Sequence, residues 1–428
     1  MRIAFISTFD SFVRANHILN SALAPHGVEG VHIVMKMRVD QIHDSQIRGI
    51  LGQQADHLFD LEDTLRHLAA GGYDWVFLGL ENASCRRFFE KFRHLSFSGP
   101  RPLVATHYPG IIFRHHYDGF SARMPADLVL LNSKADVECY SSLRSALGGG
   151  SDNSFCLGPV TVIGCEKFVF QQERKMVLFF DQPSVPHTKE EKTHIFEQLS
   201  LLSEVYPGYD FCVKLRVSPK ESTLHRGGQA TLEILRNFNR NLPPGRKTLG
   251  LVDGPPRELI AKSALCLSVS STALIESIAC GCPAVAISDF GVDEEYGVAF
   301  FIGSGIIGGL TEIDPGNPPQ VSPEWMDRNM EDADARIPQL VACMAAKLAE
   351  HRDNPFPPPS IHPFYGSESF HRTAVNHFGM RSALTRRYRR QGSPVKHAVQ
   401  FTKRRISGLF PSLRAIFNSW RRDASDRS

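Results

Sequence analysis

The sequence predicts an α/β protein with two Rossmann-like domains in tandem, and three observations support this prediction. The chain has 428 residues, which is too long for one ordinary hydrophobic core and sufficient for two domains of roughly 150–200 residues each. Short apolar runs alternate with longer amphipathic segments, as in a doubly wound parallel sheet. This alternation starts again after the polar segment Gln171–Arg174. We therefore expect two domains facing a central cleft, at residues 1–170 and 171–380, followed by a tail at residues 381–428.

The first domain is expected to contain six buried parallel strands. Each candidate is short and largely apolar on both faces, as strands that helices cover on both sides must be. The candidate strands are Ile3–Ser7, Val31–Met35, Trp75–Leu80, Leu103–Thr106, Leu128–Asn132 and Val160–Gly164. Between them lie helix-like segments such as Ala55–Ala70 and Ser133–Ala146.

The second domain repeats the pattern. The candidate strands are Met176–Asp181, Phe211–Val217, Thr248–Val252 and Leu265–Val269, and the candidate helices are Glu190–Val205, Gln229–Phe238 and Arg257–Ala264. Because ligands of open parallel sheets bind at the carboxyl ends of the strands, the loops after these strands should line the cleft. Gln182 and Asp253 lie in two such loops, and Gln182 is the stronger candidate because turn formation does not explain a glutamine there.

The segment Leu265–Ile287 is the most informative stretch of the chain. It reads as a strand, a hydroxyl-rich turn, a helix, a glycine stop at Gly281 and another strand. The hydroxyl residues of the turn are Ser270, Ser271 and Thr272. Their side chains and the free N–H groups of the first helical turn form an anion site that the helix dipole reinforces.

Glu276 lies within about one helical turn of this anion site. If Thr272 is the N-cap residue, a capping box requires a Glu at position 275, which is Ile275. Capping therefore does not explain Glu276, and its carboxylate can accept hydrogen bonds from ribose hydroxyls. The alternative is a capped helix with a solvated Glu276.

The string from Ser270 to Val285 resembles the nucleotide-binding element of GT-B glycosyltransferases. The resemblance implies that the three hydroxyl residues contact the donor phosphate, that Glu276 contacts the ribose, and that no metal is bound. The Ser270/Ser271 pair is similar to the serine motif by which bacterial sialyl-, polysialyl- and Kdo-transferases hold a CMP donor. Those enzymes add a His-Pro dipeptide after an upstream strand, where this chain has Lys214-Leu-Arg216.

Roughly residues 100–300 also resemble an uncharacterised bacterial family of glycosyltransferases. The residues that carry this resemblance are Asp181–Pro186, Val213–Arg216 and His225. In the strand Phe211–Val217, Lys214 and Arg216 share one face, where they can bind a donor phosphate or carboxylate. The alternative is an edge strand with a solvated basic face. His225 can protonate the leaving phosphate, or it is a solvated loop residue.

The first domain should supply the base that deprotonates the acceptor hydroxyl. Asp10 and His107 are favoured by position, because each follows a predicted strand. The other candidates are His17, Glu81, His115, His116 and Asp118. The run Arg114–Asp118 has the composition of a metal cluster, but adjacent histidines point to opposite sides of an extended chain, which favours a polar cleft loop.

The carboxyl-terminal tail is strongly basic, with 13 Lys/Arg and 2 Asp/Glu in residues 381–428. Apolar residues recur at helical spacing from Ile406 to Trp420, which predicts a basic amphipathic segment that lies on an anionic membrane surface through residues 396–422. A packing helix followed by a disordered basic end is the alternative. No nucleic-acid binding is expected, because no aromatic-interleaved groove or known nucleic-acid fold accompanies the charge.

The functional hypothesis is a glycosyltransferase of bacterial surface glycan synthesis. It would transfer sugar from a nucleotide donor, possibly a CMP-linked acidic sugar, to a hydroxyl of a glycan or lipid-linked acceptor, without a cofactor. The alternatives are a nucleotide-sugar epimerase of the same fold and a non-catalytic membrane-associated scaffold. The N-terminal apolar stretch is too short for a signal peptide and nine cysteines are scattered, so we expect a cytoplasmic protein at the inner face of the membrane.

Overall fold

The computed structural model describes residues 1–36, 42–114, 117–147, 149, 152–167, 174–183, 185–216, 226–244 and 246–359. His225 and the tail at residues 381–428 lie outside this range, as does the predicted domain boundary near residue 170. Residues 1–115 and 119–363 form one compact unit, which contains both sheets described below. The other unit comprises residues 116–118 and 364–428, of which the structure describes only 117 and 118.

The first sheet has seven parallel strands. They are β1 (Arg2–Ser7), β2 (Glu29–Met35), β3 (His57–Phe59), β4 (Trp75–Gly79), β5 (Leu103–Thr106), β6 (Leu128–Leu131) and β7 (Ser154–Cys156). Their spatial order is β3-β2-β1-β4-β5-β6-β7. The central strands β1 and β4 are buried on both faces, because helices cover both sides of the sheet.

The helices of this sheet come mainly from the crossovers between its strands. They are α1 (Asp10–Leu23), α2 (Asp44–Leu51), α3 (Leu61–Ala69), α4 (Asn82–Phe92), α5 (Tyr117–Ser121) and α6 (Lys134–Ala146). Ser133 caps α6 by accepting a hydrogen bond from the Asp136 N–H, so the predicted helix Ser133–Ala146 is confirmed.

The second sheet has six parallel strands in the order β10-β9-β8-β11-β12-β13. They are β8 (Met176–Phe180), β9 (Asp210–Lys214), β10 (Gly250–Val252), β11 (Ser263–Ser268), β12 (Ala284–Ile287) and β13 (Ile307–Gly308). The helices after β8 are α7 (Lys189–Val205), α8 (Arg226–Asn241), α9 (Pro256–Lys262), α10 (Thr272–Ala279), α11 (Pro323–Asn329) and α12 (Ala333–Asp353). Of these, α11 packs against α6 and α12 against α1 of the first domain. The predicted pair of Rossmann-like domains is confirmed.

Two predicted elements of the first domain are wrong. Val160–Gly164 is not a strand: Val160–Val162 forms a 3-10 turn that packs between α1 and α10, and β7 already occupies the edge beside β6. The predicted helix Ala55–Ala70 begins with strand β3, which pairs with β2. Helix α3 starts after it, where Asp60 accepts a hydrogen bond from the Asp63 N–H at 2.8 Å.

The chain crosses between the two sheets twice, and each crossing is fixed by an arginine. At the first crossing, Arg257 of α9 donates to the carbonyl oxygens of Thr161 and Ile163, at 2.7 Å each. At the second, the chain after α12 lies against the first sheet, where Arg101 donates to the Pro357 carbonyl at 2.7 Å. Arg101 also makes a bidentate ion pair with Asp127, with both N···O distances at 2.8 Å.

Within the described ranges, we find no helix with the length and hydrophobicity to span a bilayer.

Candidate functional site

The turn between β11 and α10 presents the amino end of α10 at the carboxyl edge of the second sheet. Ser271 is the N-cap residue, and its Oγ accepts a hydrogen bond from the Ala273 N–H at 3.2 Å. The expected N-cap, Thr272, is instead the first helical residue, because the extended backbone ends at Ser271. The N3 position is then Leu274, so a capping box still does not account for Glu276.

Ser270 is the most buried hydroxyl residue of the turn, with 5% of its surface exposed. Its N–H donates to Gln182 Oε1 at 2.9 Å, and its hydroxyl donates to the Tyr296 carbonyl at 2.6 Å. Ser271 and Thr272 are partly exposed. The hydroxyl of Ser270 therefore orders the turn, while its two neighbours keep some exposed surface.

Helix α10 ends as the sequence predicts. Gly281 has φ +76°, in the left-handed region that favours glycine. The Gly281 N–H donates to the Ile278 carbonyl at 3.0 Å, and the Cys282 N–H donates to the Ser277 carbonyl at 2.9 Å. These bonds satisfy two of the carbonyl groups that a helix end leaves without intrahelical partners.

Glu276 lies on α10 where the two domains meet. Burial raises the pKa of its carboxyl to about 7, although the positive charges of Arg257 and Arg14 lower it. Arg257 is in α9 of the second domain, and Arg14 is in α1 of the first. Glu276 thus lies between charges from both domains and is partly exposed.

Strand β9 has the alternation that the sequence predicts. Phe211, Val213 and Leu215 are buried, whereas Lys214 is partly buried and Arg216 is exposed. The interpretation as an edge strand is wrong, because β9 lies between β8 and β10. Lys214 Nζ donates to the Leu215 carbonyl at 3.0 Å and lies 3.5 Å from Asp253 Oδ1.

The structure thus brings the predicted donor residues to one edge of the second sheet. Lys214 is the last residue of β9, and Gln182, Asp253 and Ser270 lie in the loops after β8, β10 and β11; the four strands are neighbours in the order β10-β9-β8-β11. Gln182 contacts Ser270, and Lys214 contacts Asp253. His225 lies outside the described residues. The roles of these residues in binding stay predictions.

The two favoured base candidates differ sharply in exposure. Asp10 is the first residue of α1 and is partly exposed. His107 is fully buried, and its Nε2 lies 2.8 Å from Asn16 Oδ1. Burial and the neighbouring Arg123 charge lower the pKa of His107 to about 3. His107 is therefore neutral at pH 7 and has no exposed surface for an acceptor.

Glu81 follows β4 and is the best-ordered acid among the remaining candidates. Its Oε2 accepts a hydrogen bond from Thr8 Oγ1 at 2.8 Å, and its Oε1 accepts one from Ser84 Oγ at 2.5 Å. His17 is on α1, and burial and the Arg14 charge lower its pKa. Asp118 is buried, and His115 and His116 lie outside the described residues. Over the described residues, no three or more His, Cys, Asp or Glu side chains are grouped to hold a metal ion.

The loop after β5 of the first domain lies against the turn Ser270–Thr272 of the second. A Cβ atom at Gly110 would lie 2.5 Å from Thr272 Oγ1. A Cβ atom at Gly297, where φ is +77°, would lie 2.9 Å from both Phe113 Cε1 and Ser270 Oγ. These glycines allow the two domains to touch at the site. The sequence predicts that the segment His107–Gly110 reaches the cleft, but sequence reasoning did not single out either glycine.

Arg114 fixes the end of this loop. Its Nε donates to Asp136 Oδ1 at 2.7 Å, and its Nη2 donates to Asn329 Oδ1 at 2.7 Å. Asp136 is in α6 of the first domain, and Asn329 is in α11 of the second. The loop contacts the turn Ser270–Thr272 at Gly110 and is tied to α6 and α11 at its other end.

Comparison with known proteins gives one family and one fold. A family model described as "Putative glycosyltransferase (DUF6716)" matches residues 3–342. The UDP-GlcNAc 2-epimerase from Methanocaldococcus jannaschii has a similar structure, with a TM-score of 0.54 and 14% identity over 81% of this chain and 100% of that chain. The MnaA protein of S. aureus, solved with UDP, has a TM-score of 0.50 and 11% identity over 89% of this chain and 99% of that chain.

At these identities the likeness shows the fold alone, and that fold is GT-B. A search of curated protein sequences found no match.

Proposed function

This chain belongs to the family described as "Putative glycosyltransferase (DUF6716)", and from this membership we propose that it transfers a sugar from a nucleotide donor to a hydroxyl acceptor. The observation that carries the proposal is the amino end of α10, which lies at the carboxyl edge of the second sheet, where β9 also ends at Lys214. The helix dipole, the partly exposed hydroxyl residues Ser271 and Thr272, and the basic side chain of Lys214 on the same edge of the sheet together favour a phosphate group there.

The donor site would use each group for a different part of the nucleotide sugar. The first turn of α10, with Ser271 and Thr272, would bind the phosphate, and Lys214 and Arg216 would stabilise the negative charge that grows on it as the sugar leaves. Glu276 would accept hydrogen bonds from the ribose. The Methanocaldococcus epimerase, which has the same fold, was solved in complex with UDP-GlcNAc and UDP, and this supports a nucleotide sugar as the donor.

The acceptor would lie on the first domain, with Asp10 as the base. Asp10 is partly exposed after β1, so it can reach a hydroxyl in the cleft. The buried His107 would act through Asn16, whose Nδ2 also donates to Ser7 Oγ at 2.8 Å, and so position the end of β1. Glu81 is the second choice for the base.

Three finer elements of this proposal come from the sequence. The donor would be a CMP-linked acidic sugar, because the Ser270/Ser271 pair is similar to the serine motif of CMP-using transferases. No cofactor or metal would be needed. Residues 396–422 would hold the protein at an anionic membrane surface, where lipid-linked acceptors of surface glycans reside.

A thermal-shift screen with CMP, CDP, UDP and GDP tests the donor site. A nucleotide that binds the folded protein stabilises it by RT ln(1 + [L]/Kd), which is about 2.7 kcal/mol at 100 times Kd. Ser271→Ala and Glu276→Ala should reduce the shift, whereas Ser203→Ala, near the carboxyl end of α7, should preserve it. If no nucleotide shifts the wild-type protein, the proposal fails and a non-catalytic scaffold is favoured.

The epimerase alternative is separated by incubating the protein with a bound nucleotide sugar and no acceptor. An epimerase converts the sugar to its epimer under these conditions, and NMR of the sugar protons detects the product. A transferase releases the nucleotide only when an acceptor accompanies the donor. Conversion of the sugar without an acceptor would overturn the transferase assignment.

A further inference from the structure

A closed circuit of hydrogen bonds joins the first turns of α7 to the loops that follow β8, β11 and β12. We call this circuit the polar ring. Its members are Gln182, Glu191, Lys192, Ser270 and Tyr296. Glu191 and Lys192 are consecutive residues of α7, so the ring returns to the helix from which it starts.

Lys192 fixes the loop after β8. Its side chain is 8% exposed, and its ammonium donates to Asp181 Oδ1 at 2.8 Å, to the Gln182 carbonyl at 2.8 Å and to Thr231 Oγ1 at 3.0 Å. Three partners match the three N–H bonds of an ammonium group. Because a buried charge is costly without partners, this arrangement specifies one position for the backbone of Gln182.

Gln182 then connects β8 to β11. Its Oε1 accepts hydrogen bonds from the Ser270 N–H at 2.9 Å and from Ser268 Oγ at 3.2 Å. Ser270 continues the ring, because its hydroxyl donates to the carbonyl of Tyr296 at 2.6 Å. The residue before the N-cap of α10 is therefore held through both its backbone N–H and its side chain.

Tyr296 closes the ring. Its hydroxyl donates to Glu191 Oε1 at 2.5 Å, and this hydrogen bond is the main reason that the pKa of Tyr296 rises to about 12. The other oxygen of Glu191 accepts from the N–H groups of His187 and Thr188, at 2.8 and 2.9 Å. The carboxylate thus joins the amino end of α7 to the loop after β12 by charge-assisted bonds.

We propose that Lys192, Glu191 and Tyr296 are positioning residues of the donor site, which act through Gln182 and Ser270 to hold the turn Ser270–Thr272 in the geometry that binds phosphate. The inference rests on the proposed donor site. A helix amino end binds an anion through several N–H groups that must converge on it, and such sites tolerate errors of only about 0.5 Å. The turn is bounded by a rigid strand and a rigid helix, and the ring fixes the residues between them.

The test opens the ring at Tyr296. Tyr296→Phe removes one hydroxyl from a partly exposed side chain, and Tyr209→Phe is the matched control in the same domain. Hydrogen exchange of the free protein reports directly on the Ser270 amide, and calorimetry with UDP and with CMP measures affinity. In Tyr296→Phe we expect exchange of residues 268–273 about tenfold faster and nucleotide affinity about tenfold weaker. Tyr209→Phe should change neither.

A second variant opens the ring at the opposite side without leaving a charge unpaired. Lys192→Met combined with Asp181→Asn removes both members of the buried ion pair, and we expect the same changes in exchange and affinity. The single variant Lys192→Arg keeps the positive charge. It should retain part of the nucleotide affinity that the double variant loses.

The outcomes distinguish the positioning role of the polar ring from the proposed donor site. Unchanged exchange of the turn in both ring variants would overturn the positioning role, and so would faster exchange with unchanged affinity. In a third outcome, the turn exchanges faster in the ring variants, but the wild-type protein binds neither UDP nor CMP. That result supports the ring's control of the turn and refutes the donor assignment.

Discussion

Replacing Glu276 with glutamine should change how the stability of the protein depends on pH. The carboxyl has a pKa of about 7 in the folded protein, against about 4.3 in an unfolded chain. Between these values the folded state binds more protons than the unfolded state, so the free energy of unfolding falls as pH rises. The contribution of Glu276 is fully present below about pH 4.3 and is lost once pH exceeds about 7.

The magnitude follows from the difference between the two pKa values. Each unit corresponds to about 1.4 kcal/mol, so the full shift corresponds to about 4 kcal/mol, an upper bound because Glu276 is partly exposed. The glutamine side chain of the variant cannot titrate. The stability of the variant minus that of the wild type should therefore rise by up to about 3 kcal/mol of this total between about pH 4.5 and about pH 7.5.

Urea unfolding followed by tryptophan fluorescence across this pH range measures the difference. Taking the difference between variant and wild type cancels the titration of all other groups. Glu324→Gln is the control: hydrogen bonds from its own backbone N–H and from Ser322 lower the pKa of Glu324, so its titration lies below this pH range and its difference curve should stay flat. A flat curve for Glu276→Gln would refute the assignment of a raised pKa to Glu276.

Two further substitutions test contacts that join the domains. Gly110→Ala places a methyl group 2.5 Å from Thr272 Oγ1, and we expect the free energy of unfolding in urea to fall by about 1–3 kcal/mol. Gly49→Ala is the control, because its methyl group meets nothing within 4 Å. It should raise the free energy of unfolding by roughly 0.5–1 kcal/mol. Equal effects of the two would contradict a close domain contact. Asp127→Asn leaves Arg101 buried without its carboxylate and should lower the free energy of unfolding by about 3 kcal/mol. Surface substitutions usually change it by no more than about 0.5 kcal/mol. A change that small would mean that this ion pair does not secure the second crossing.

The sequence was sufficient to predict the elements whose signals are local. Strand Leu103–Thr106 and the strand–turn–helix around Ser271 depend on runs of apolar residues, on cap residues and on Gly281, all of which act within a few positions. Strands β3 and β7 were missed because each has three residues, too few for a periodic pattern to stand out.

The site depends more on contacts between residues far apart in the chain. The Ser270 hydroxyl donates to Tyr296, 26 positions later, so the sequence could not show that it orders the turn. His107 was favoured because it follows a strand, but its side chain points into the core beside Asn16, 91 positions away. A residue that follows a strand is predicted to lie at the carboxyl edge of the sheet. Its position in the sequence does not predict whether its side chain points into the cleft or into the core.

The course of α12 has a consequence for how the protein forms during translation. The ribosome completes the seventh strand of the first sheet at Cys156, yet the residues that pack on Arg101 and Asp74, namely His351, Arg352 and Pro357, are made about 200 residues later. At synthesis rates of roughly 5–20 residues per second, about 10–35 s separate Cys156 from the start of α12 at Ala333. During that interval the nascent first domain exposes the surface that α12 later covers, so a fragment that ends near residue 170 should require a chaperone or aggregate.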